Sequence, residues 1–405
     1  MTIEIRAARE DEIEQFALIG AYVFAGAFGD GTDNAVSRGN RMEWTTCAFV
    51  DGRMAASYSS IPFTMRANGN AIAMAGVTAV GTLPEYRRQG LLRAMTRQSF
   101  AEMRERGQSV AALWASQSAI YQRYGYAIAS SQLSYRIDTV DIGFFDGNGG
   151  SASVARVTAD AAYDIVKSVY VAFVAPRTCY LHRAKALWLN NALTATPTTG
   201  PAHVAVARSS DGAAVGYVIY HVRNGVTGHA TRGQELVIKD FAWLTIDAYR
   251  SLWSWLARHD MVGRTVWTRA PSDDPAIELF MEPRLLHVEM RDGIWLRVVD
   301  VRGALAQRGY DVNGSISLRI EEDDLAPWNN GGFRLDCTPN GAEVSEAADE
   351  CDLRLSVKAL ASLYTGLRTP RQLAAWGLVT GSDAALARAT AIFATRHAPH
   401  NPDSF

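Results

Sequence analysis

From Thr45 to Ile61 the chain reads TTCAFV-DG-RMAASYSSI, two apolar runs on either side of a two-residue polar break. That pattern predicts a strand, a tight turn at Asp51-Gly52 and a second strand. The apolar run GVTAV (76–80) predicts a further strand and GTLPE (81–85) a turn. Helical periodicity follows from about Arg88 to Arg106, with Arg104 and Arg106 in the last turn and Gly107 placed to cap it. VAALWA (110–115) has the character of a buried strand. Ser116 is a suitable N-cap, and QSAIYQRYGY (117–126) predicts a short helix stopped at Gly125.

The same order returns, by pattern alone, after residue 200. HVAVARSS-DG-AAVGYVIYHV predicts a hairpin about Asp211-Gly212, ELVIKDFAWL a strand, and IDAYRSLWSWLARH a helix with Ala248, Leu252 and Trp255 on one face. The glycine-rich stretch DGNGG (146–150) reads as punctuation between the two copies. A third region alternates short strands (SISLRI, GGFRLDC, AEVSE, DLRLSV) with helical stretches (KALASLYTG, SDAALARATAIFATR) and predicts a small α+β unit. Its proline-broken ending, HAPHNPDSF, cannot continue a helix. The expected domains are therefore residues 1–147, 148–290 and 291–405.

Composition narrows the function classes. At 405 residues, two or three domains are expected. Lys+Arg (40) nearly balances Asp+Glu (42), so overall charge offers no reason to expect nucleic acid or an anionic membrane as partner. Cys47, Cys179, Cys337 and Cys351 are isolated, which is neither a disulfide framework nor a zinc site, and no metal is expected. The first residues carry acids early and lack a signal-type apolar core, and no run of about 18 apolar residues is present to span a bilayer. The expectation is a soluble, cytoplasmic protein.

The segment YRRQGLLRAM (86–95) carries the chemistry. A helix start offers N–H groups without intrahelical partners and the positive end of the macrodipole, so an anion suits it. Gly90 would let a ligand approach the backbone, and Arg88 and Arg93 would add charge-assisted bonds. An exposed basic helix start looks the same in four residues, and Arg-x-x-Gly alone does not separate the two. The second copy has TIDAYRSLWSW at this place, with no glycine and a single arginine.

Strand, anion-type loop, long helix, strand and short helix follow in the order of the acetyl-CoA-binding half of the Gcn5-related N-acetyltransferase fold. RRQGLLRAM with WASQSAIYQRYGY resembles the enhanced-intracellular-survival (Eis) family of N-acetyltransferases, most specifically between Val77 and Tyr126. The resemblance implies an α+β chain. It would comprise two tandem acetyltransferase-like domains, the second degenerate, and a sterol-carrier-like α+β domain whose end reaches the active site. It implies acetyl-CoA as co-substrate, a primary amine of a small molecule (aminoglycoside-like or polyamine) or a lysine as acceptor, and a homo-oligomer, in the family a hexamer. The implied acetyl-CoA contacts are Val80, Gly81, Thr82, Arg88, Gln89, Gly90, Leu91, Leu92, Arg93, Ser116 and Gln117. Gln89 stands where the family usually has arginine, and Leu92 where the wider fold often has Gly or Ala.

The resemblance also implies Tyr121 as general acid and the α-carboxylate of Phe405 as proton acceptor. A phenol with an ordinary pKa of about 10 can donate to a thiolate whose acid has a pKa of about 8.5. Tyr124 and Tyr126 are read as packing residues, and His397 and His400 as lesser candidates for the base. No motif marks an acidic pocket for polycationic aminoglycosides; next to Phe405 stands the uncharged Ser404, with Asp403 the nearest acid. Two other readings stay open: a CoA-binding protein without turnover, and a lipid carrier working through the third domain.

Overall fold

The computed structural model describes residues 2–26, 41–194 and 200–405. The chain divides into two compact units. One holds Met1–Ala129, Ile294–Arg396 and Phe405; the other holds Ser130–Gly293 and His397–Ser404.

The first unit begins with β1 (Ile3–Arg6), α1 (Ile13–Val23), β2 (Cys47–Val50), β3 (Arg53–Ala67) and β4 (Asn70–Thr82). After these come α2 (Leu91–Glu105), β5 (Val110–Leu113), α3 (Ser118–Gln122) and β6 (Ala127–Ile128). Two tight hairpins organise the sheet. Asp51 and Gly52 have φ of 47° and 80°, and Asn68 and Gly69 have 48° and 92°, the left-handed pairs that a two-residue hairpin requires. The second of these turns, at Asn68-Gly69, joins β3 to β4. The strands run β1-β2-β3-β4-β5, then Trp295–Val298, then β6. Leu91, Met95, Phe100 and Met103 of α2 join Ala75, Val77, Tyr58 and Tyr121 in one apolar cluster. Phe16 and Ile19 of α1 pack with Cys47, Phe49 and Ala79 in another.

The second unit contains β7 (Ser131–Asp138), β8 (Ser153–Val157), α4 (Ala159–Val174), β9 (His203–Arg208), β10 (Ala214–Asn224), β11 (Gln234–Trp243), α5 (Ile246–Leu256), β12 (Val262–Pro271) and β13 (Glu289–Asp292). Read from β8, its strand order is β8-β9-β10-β11-β12-β7-β13, which repeats the first sheet position for position. The weak sequence repeat is thus a structural one. Each sheet takes its sixth strand from across the chain: β7 follows the first domain's helices, and β14 (Trp295–Val298) follows the second domain's. The passage between units falls at Ala129/Ser130. The DGNGG stretch lies inside the second unit, where the Ser254 hydroxyl donates to Gly149 O at 2.8 Å.

The third region consists of α6 (Val301–Gln307), β15 (Gly314–Ile320), β16 (Gly331–Thr338), β17 (Gly341–Ala347), β18 (Leu353–Leu355), α7 (Val357–Tyr364), α8 (Pro370–Ala375), β19 (Val379–Gly381) and α9 (Asp383–Phe393). Its sheet runs β17-β16-β15-β18-β19. Ser356, Thr369 and Ser382 cap the helices after them by accepting from the N–H three residues on. The region belongs to the first unit, and Arg297 of β14 is its anchor. That guanidinium is fully buried, donates to both oxygens of Asp323 at 2.6 Å, and lies 5.0 Å from the Phe100 ring. Among the described residues no helix is long and apolar enough to cross a membrane.

Candidate active site

The parallel pairing of β4 with β5 covers only Met74–Gly76 against Val110–Ala112. Beyond Gly76 the two strands part. The β3–β4 register shifts between Ser57 and Ser59, and Ala79 takes a φ of 51°, the mark of a β-bulge. The Ser57 hydroxyl donates to Ala79 O at 2.8 Å and holds the bulge in place. Because Ala79 is not glycine, its left-handed backbone is strained, and such strain gathers at functional sites. Val80, Gly81 and Thr82 follow directly.

The helix start is tighter than the sequence suggested. Arg88 (φ 63°) and Gly90 (φ 78°) are both left-handed, and α2 begins at Leu91 instead of Arg88. Its first bond runs from Ala94 N–H to Gly90 O at 3.1 Å, so the N–H groups of Leu91, Leu92 and Arg93 precede the helical ladder. A Cβ on Gly90 would meet nothing within 4 Å; the backbone angle, and the open face beside it, explain the glycine. Gln89 Nε2 donates to Glu85 O at 3.2 Å, and exposed Arg93 pairs with Asp324 of the third region at 3.1 Å. Unpaired N–H groups at a helix start, with arginines beside them, are chemically suited to an anion. At the far end Gly107 (φ 71°) closes α2, with Gln108 N–H donating to Met103 O at 2.9 Å, as expected.

Ser116 does not cap the next helix. That helix starts at Ser118 after Gln117, and neither the Ser116 nor the Gln117 side chain caps it. The Ser116 hydroxyl instead acts on Tyr121. Burial pushes the Tyr121 phenol up from its ordinary value, and a hydrogen bond with Ser116 opposes the shift. Ser116 and Gln117 remain exposed at the end of β5. Tyr121 is 8% exposed and meets Tyr126 edge-on at 5.9 Å; Tyr126 in turn lies 6.3 Å from Phe100, a packing residue as read. Gly125 has φ 78°, and a Cβ there would lie 2.8 Å from Arg297 Nη1, so the buried arginine also requires the glycine that stops α3.

Phe405 packs in the first unit. Its ring lies 5.2 Å from that of Phe63, tilted by 49°, and both rings sit over Gly76. Successive side chains of a strand point to opposite faces. Ala75 and Val77 share the cluster of Tyr121 and α2, whereas Gly76 faces Phe63 and Phe405. Tyr121 and Phe405 thus belong to opposite faces of β4, at the point where it leaves β5. Phe63, Gly76 and Ala79 went unnoticed in the sequence. For Ala79 no residue-type signal existed, while Gly76 and Phe63 fit an ordinary strand.

The second unit closes the equivalent place. Arg183 is fully buried, donates from Nε to both oxygens of Asp403 at 2.9 and 3.0 Å, and pairs with Asp240 through Nη1 at 2.5 Å. The Tyr217 hydroxyl donates to Asp240 at 2.7 Å. His400 lies against Tyr180 at 5.5 Å, and burial pushes its imidazole down to about 4. Tyr180, His400, Asp240, Lys239, Trp267 and Pro402 line a cavity of only about 10 Å³ where β11 and β12 part. His400 is a packing residue of the second unit, and Asp403 has its charge committed to Arg183.

Comparison with known proteins agrees with this architecture. An acetyltransferase (GNAT) domain model matches residues 4–129, a second acetyltransferase (GNAT) domain model matches 179–298, and a sterol carrier protein domain model matches 301–402. A Streptomyces coelicolor protein described as an uncharacterized N-acetyltransferase is 33% identical over 85% of this chain and 84% of its own. The N-acetyltransferase Eis of Mycobacterium tuberculosis is 30% identical over 78% of this chain and 76% of its own. Among solved structures, a GCN5-related N-acetyltransferase of Anabaena variabilis superposes over the whole of both chains with a TM-score of 0.87 at 28% identity. Eis1 of Mycobacterium abscessus does so with 0.81 at 26%. With two tandem acetyltransferase domains, a sterol-carrier domain and these relatives, the chain belongs to the Eis family of N-acetyltransferases.

Proposed function

We propose that the protein transfers acetyl from acetyl-CoA directly to primary amines of small molecules or to exposed lysines, binding acetyl-CoA in the first domain alone. Acetyl-CoA supplies the activated acyl group as a thioester. The N–H groups of Leu91, Leu92 and Arg93, with Arg88, Gln89 and the bare backbone of Gly90, hold its pyrophosphate. The edge of β4 at Val80, Gly81 and Thr82 and the end of β5 at Ser116 and Gln117 line its acyl arm.

A primary ammonium with a pKa near 10 must lose its proton before it attacks. The Phe405 carboxylate accepts that proton, directly or through water that passes it to bulk. As the N–C bond forms and the C–S bond breaks, the Tyr121 phenol gives its proton to sulfur. Burial keeps that phenol protonated well beyond neutral pH. The observation carrying this reading is the arrangement about β4: Tyr121 on one face and Phe405 on the other, where the strand leaves β5. Cofactor and amine can then approach from opposite sides and meet in the gap.

Asp403 is buried and bonded to Arg183, which it shares with Asp240, so it is not presented to a polycation as an exposed acid. Small mono- and diamines are therefore favoured over aminoglycosides. A homo-oligomer, as the family resemblance implies, is measured by sedimentation velocity. The function is tested by thiol release from acetyl-CoA against a panel of monoamines, polyamines, aminoglycosides and lysine peptides. Turnover with small amines supports the reading; no release with any amine overturns it.

A further inference from the structure

The second domain has a cleft of its own, away from the closed place at β11 and β12. Its volume is about 340 Å³, within the range of small-molecule sites. Cross-strand register builds one wall. Arg156 of β8 pairs with Ala205, Ala205 with Val218, and His203 with Tyr220, so Arg156, His203, Tyr220 and Val222 share the sheet face that α5 covers. The end of α5 supplies the opposite wall through Trp255, followed by Arg258 and His259.

The floor is aromatic and held by hydrogen bonds. Tyr220 is 1% exposed, with the His203 ring 5.5 Å away and the His259 ring edge-on at 5.4 Å. His259 Nδ1 bonds Leu256 O at 3.0 Å, which can only accept, so Nδ1 carries a proton and Nε2 faces the Tyr220 hydroxyl at 3.2 Å. Burial, and then Arg156, push the His203 imidazole down, leaving it neutral at pH 7. Two guanidinium groups, Arg156 and Arg258, bring permanent positive charge to the cleft. Among the described residues neither Arg156 nor Arg258 has a carboxylate partner.

We propose that this cleft binds a small ring-bearing anion, its ring against Tyr220, His203 and Trp255 and its carboxylate or phosphate held by Arg156 and Arg258. Aromatic walls suit a flat ring, and guanidinium forks suit either oxyanion. The site is independent of acetyl transfer, since it uses none of the residues assigned to that reaction.

Calorimetry on the full chain with phenyl phosphate, benzoate and inorganic phosphate tests it. We expect one molecule of phenyl phosphate or of benzoate per chain, and the preferred probe tells which oxyanion the site takes. The exposed pair Arg156→Ala and Arg258→Ala should lower that affinity at least tenfold with the melting temperature unchanged. Gly90→Leu should leave it unaltered, which separates this site from the anion site at α2. No binding of either ring probe overturns the proposal. Equal affinity in the double arginine variant, or inorganic phosphate binding as tightly as phenyl phosphate, does the same.

Discussion

Replacing Gly76 with alanine adds one methyl group beneath the two rings that position the chain's last residue. The new Cβ would stand 2.5 Å from Phe63 Cε2 and 2.9 Å from Phe405 Cδ2. Carbon atoms settle at about 3.5–4.0 Å, so Phe63 must retreat by roughly 1–1.5 Å and Phe405 by roughly 0.6–1.1 Å. Gly76 has no left-handed φ, so alanine fits the backbone and the collision is with side chains alone. Phe63 is set in the middle of β3, whereas Phe405 ends the sequence, so Phe405 yields first. A misplacement of about 1 Å at a reacting group costs on the order of 100-fold in rate, or ~2.7 kcal/mol. Overpacking costs about 1–3 kcal/mol of stability, toward the low end for a half-buried ring. Thiol release under saturating acetyl-CoA should show kcat lowered by roughly 100-fold, with acetyl-CoA affinity unchanged by calorimetry and a cooperative melt retained. A folded Gly76→Ala protein with native kcat would refute the role given to Phe405.

Four further outcomes follow from the same geometry. Tyr121→Phe keeps the ring and should lower kcat about 100-fold or more at unchanged acetyl-CoA affinity; in the parent enzyme the raised phenol predicts no alkaline loss of rate below about pH 10. Gly90→Leu meets no steric barrier but strains a left-handed position and covers the anion site, so acetyl-CoA affinity should drop at least tenfold by calorimetry while melting shifts by about 1–3 kcal/mol. Asp324→Asn releases Arg93 from an exposed ion pair and should tighten acetyl-CoA binding by up to about fivefold at low salt, with the gain fading as salt rises. Asp274 is buried and accepts from Tyr135, Tyr249 and the Ala276 N–H, all through Oδ1; burial pushes its carboxyl up to about 7. Its contribution to stability is full below the unfolded value near 4 and is lost as pH rises through 7, so Asp274→Asn should melt a few degrees above the parent at pH 8 and lose that advantage by pH 5.

Local signals were legible and distant pairings were not. Asp51-Gly52 and Asp211-Gly212 announced their hairpins because tight turns demand left-handed backbone: at the first both residues adopt it, whereas at the second Gly212 alone does, in a longer loop closed between Ser209 and Ala213. The helix from Gly90 to Gly107 could be read from its two end glycines. The exchange of β7 and β14 between the two sheets could not, since nothing in either strand's own residues states which sheet it joins. The first sheet's bulge was hidden because an alanine, not a glycine, adopts the left-handed angle. Ser116 misled for a related reason: its hydroxyl suits a cap, yet the chain stays extended for one more residue and the hydroxyl turns to Tyr121. The closing of the second domain's gap was only half visible. The missing glycine and arginine showed in TIDAYRSLWSW, but the Arg183–Asp403 pair joins residues 220 positions apart.

The central claim is that the α-carboxylate of Phe405 receives the amine's proton. It is tested most directly by extending the chain with a few residues after Phe405, which keeps every side chain, turns the carboxylate into a neutral amide and displaces the ring from Gly76. The account predicts unchanged acetyl-CoA affinity, because those contacts lie between Val80 and Gln117, and acetyl transfer reduced by about 100-fold or more. Acetylation at the native rate by the extended chain would contradict it and move the search for the base to His397, which faces Asp273 at 3.4 Å.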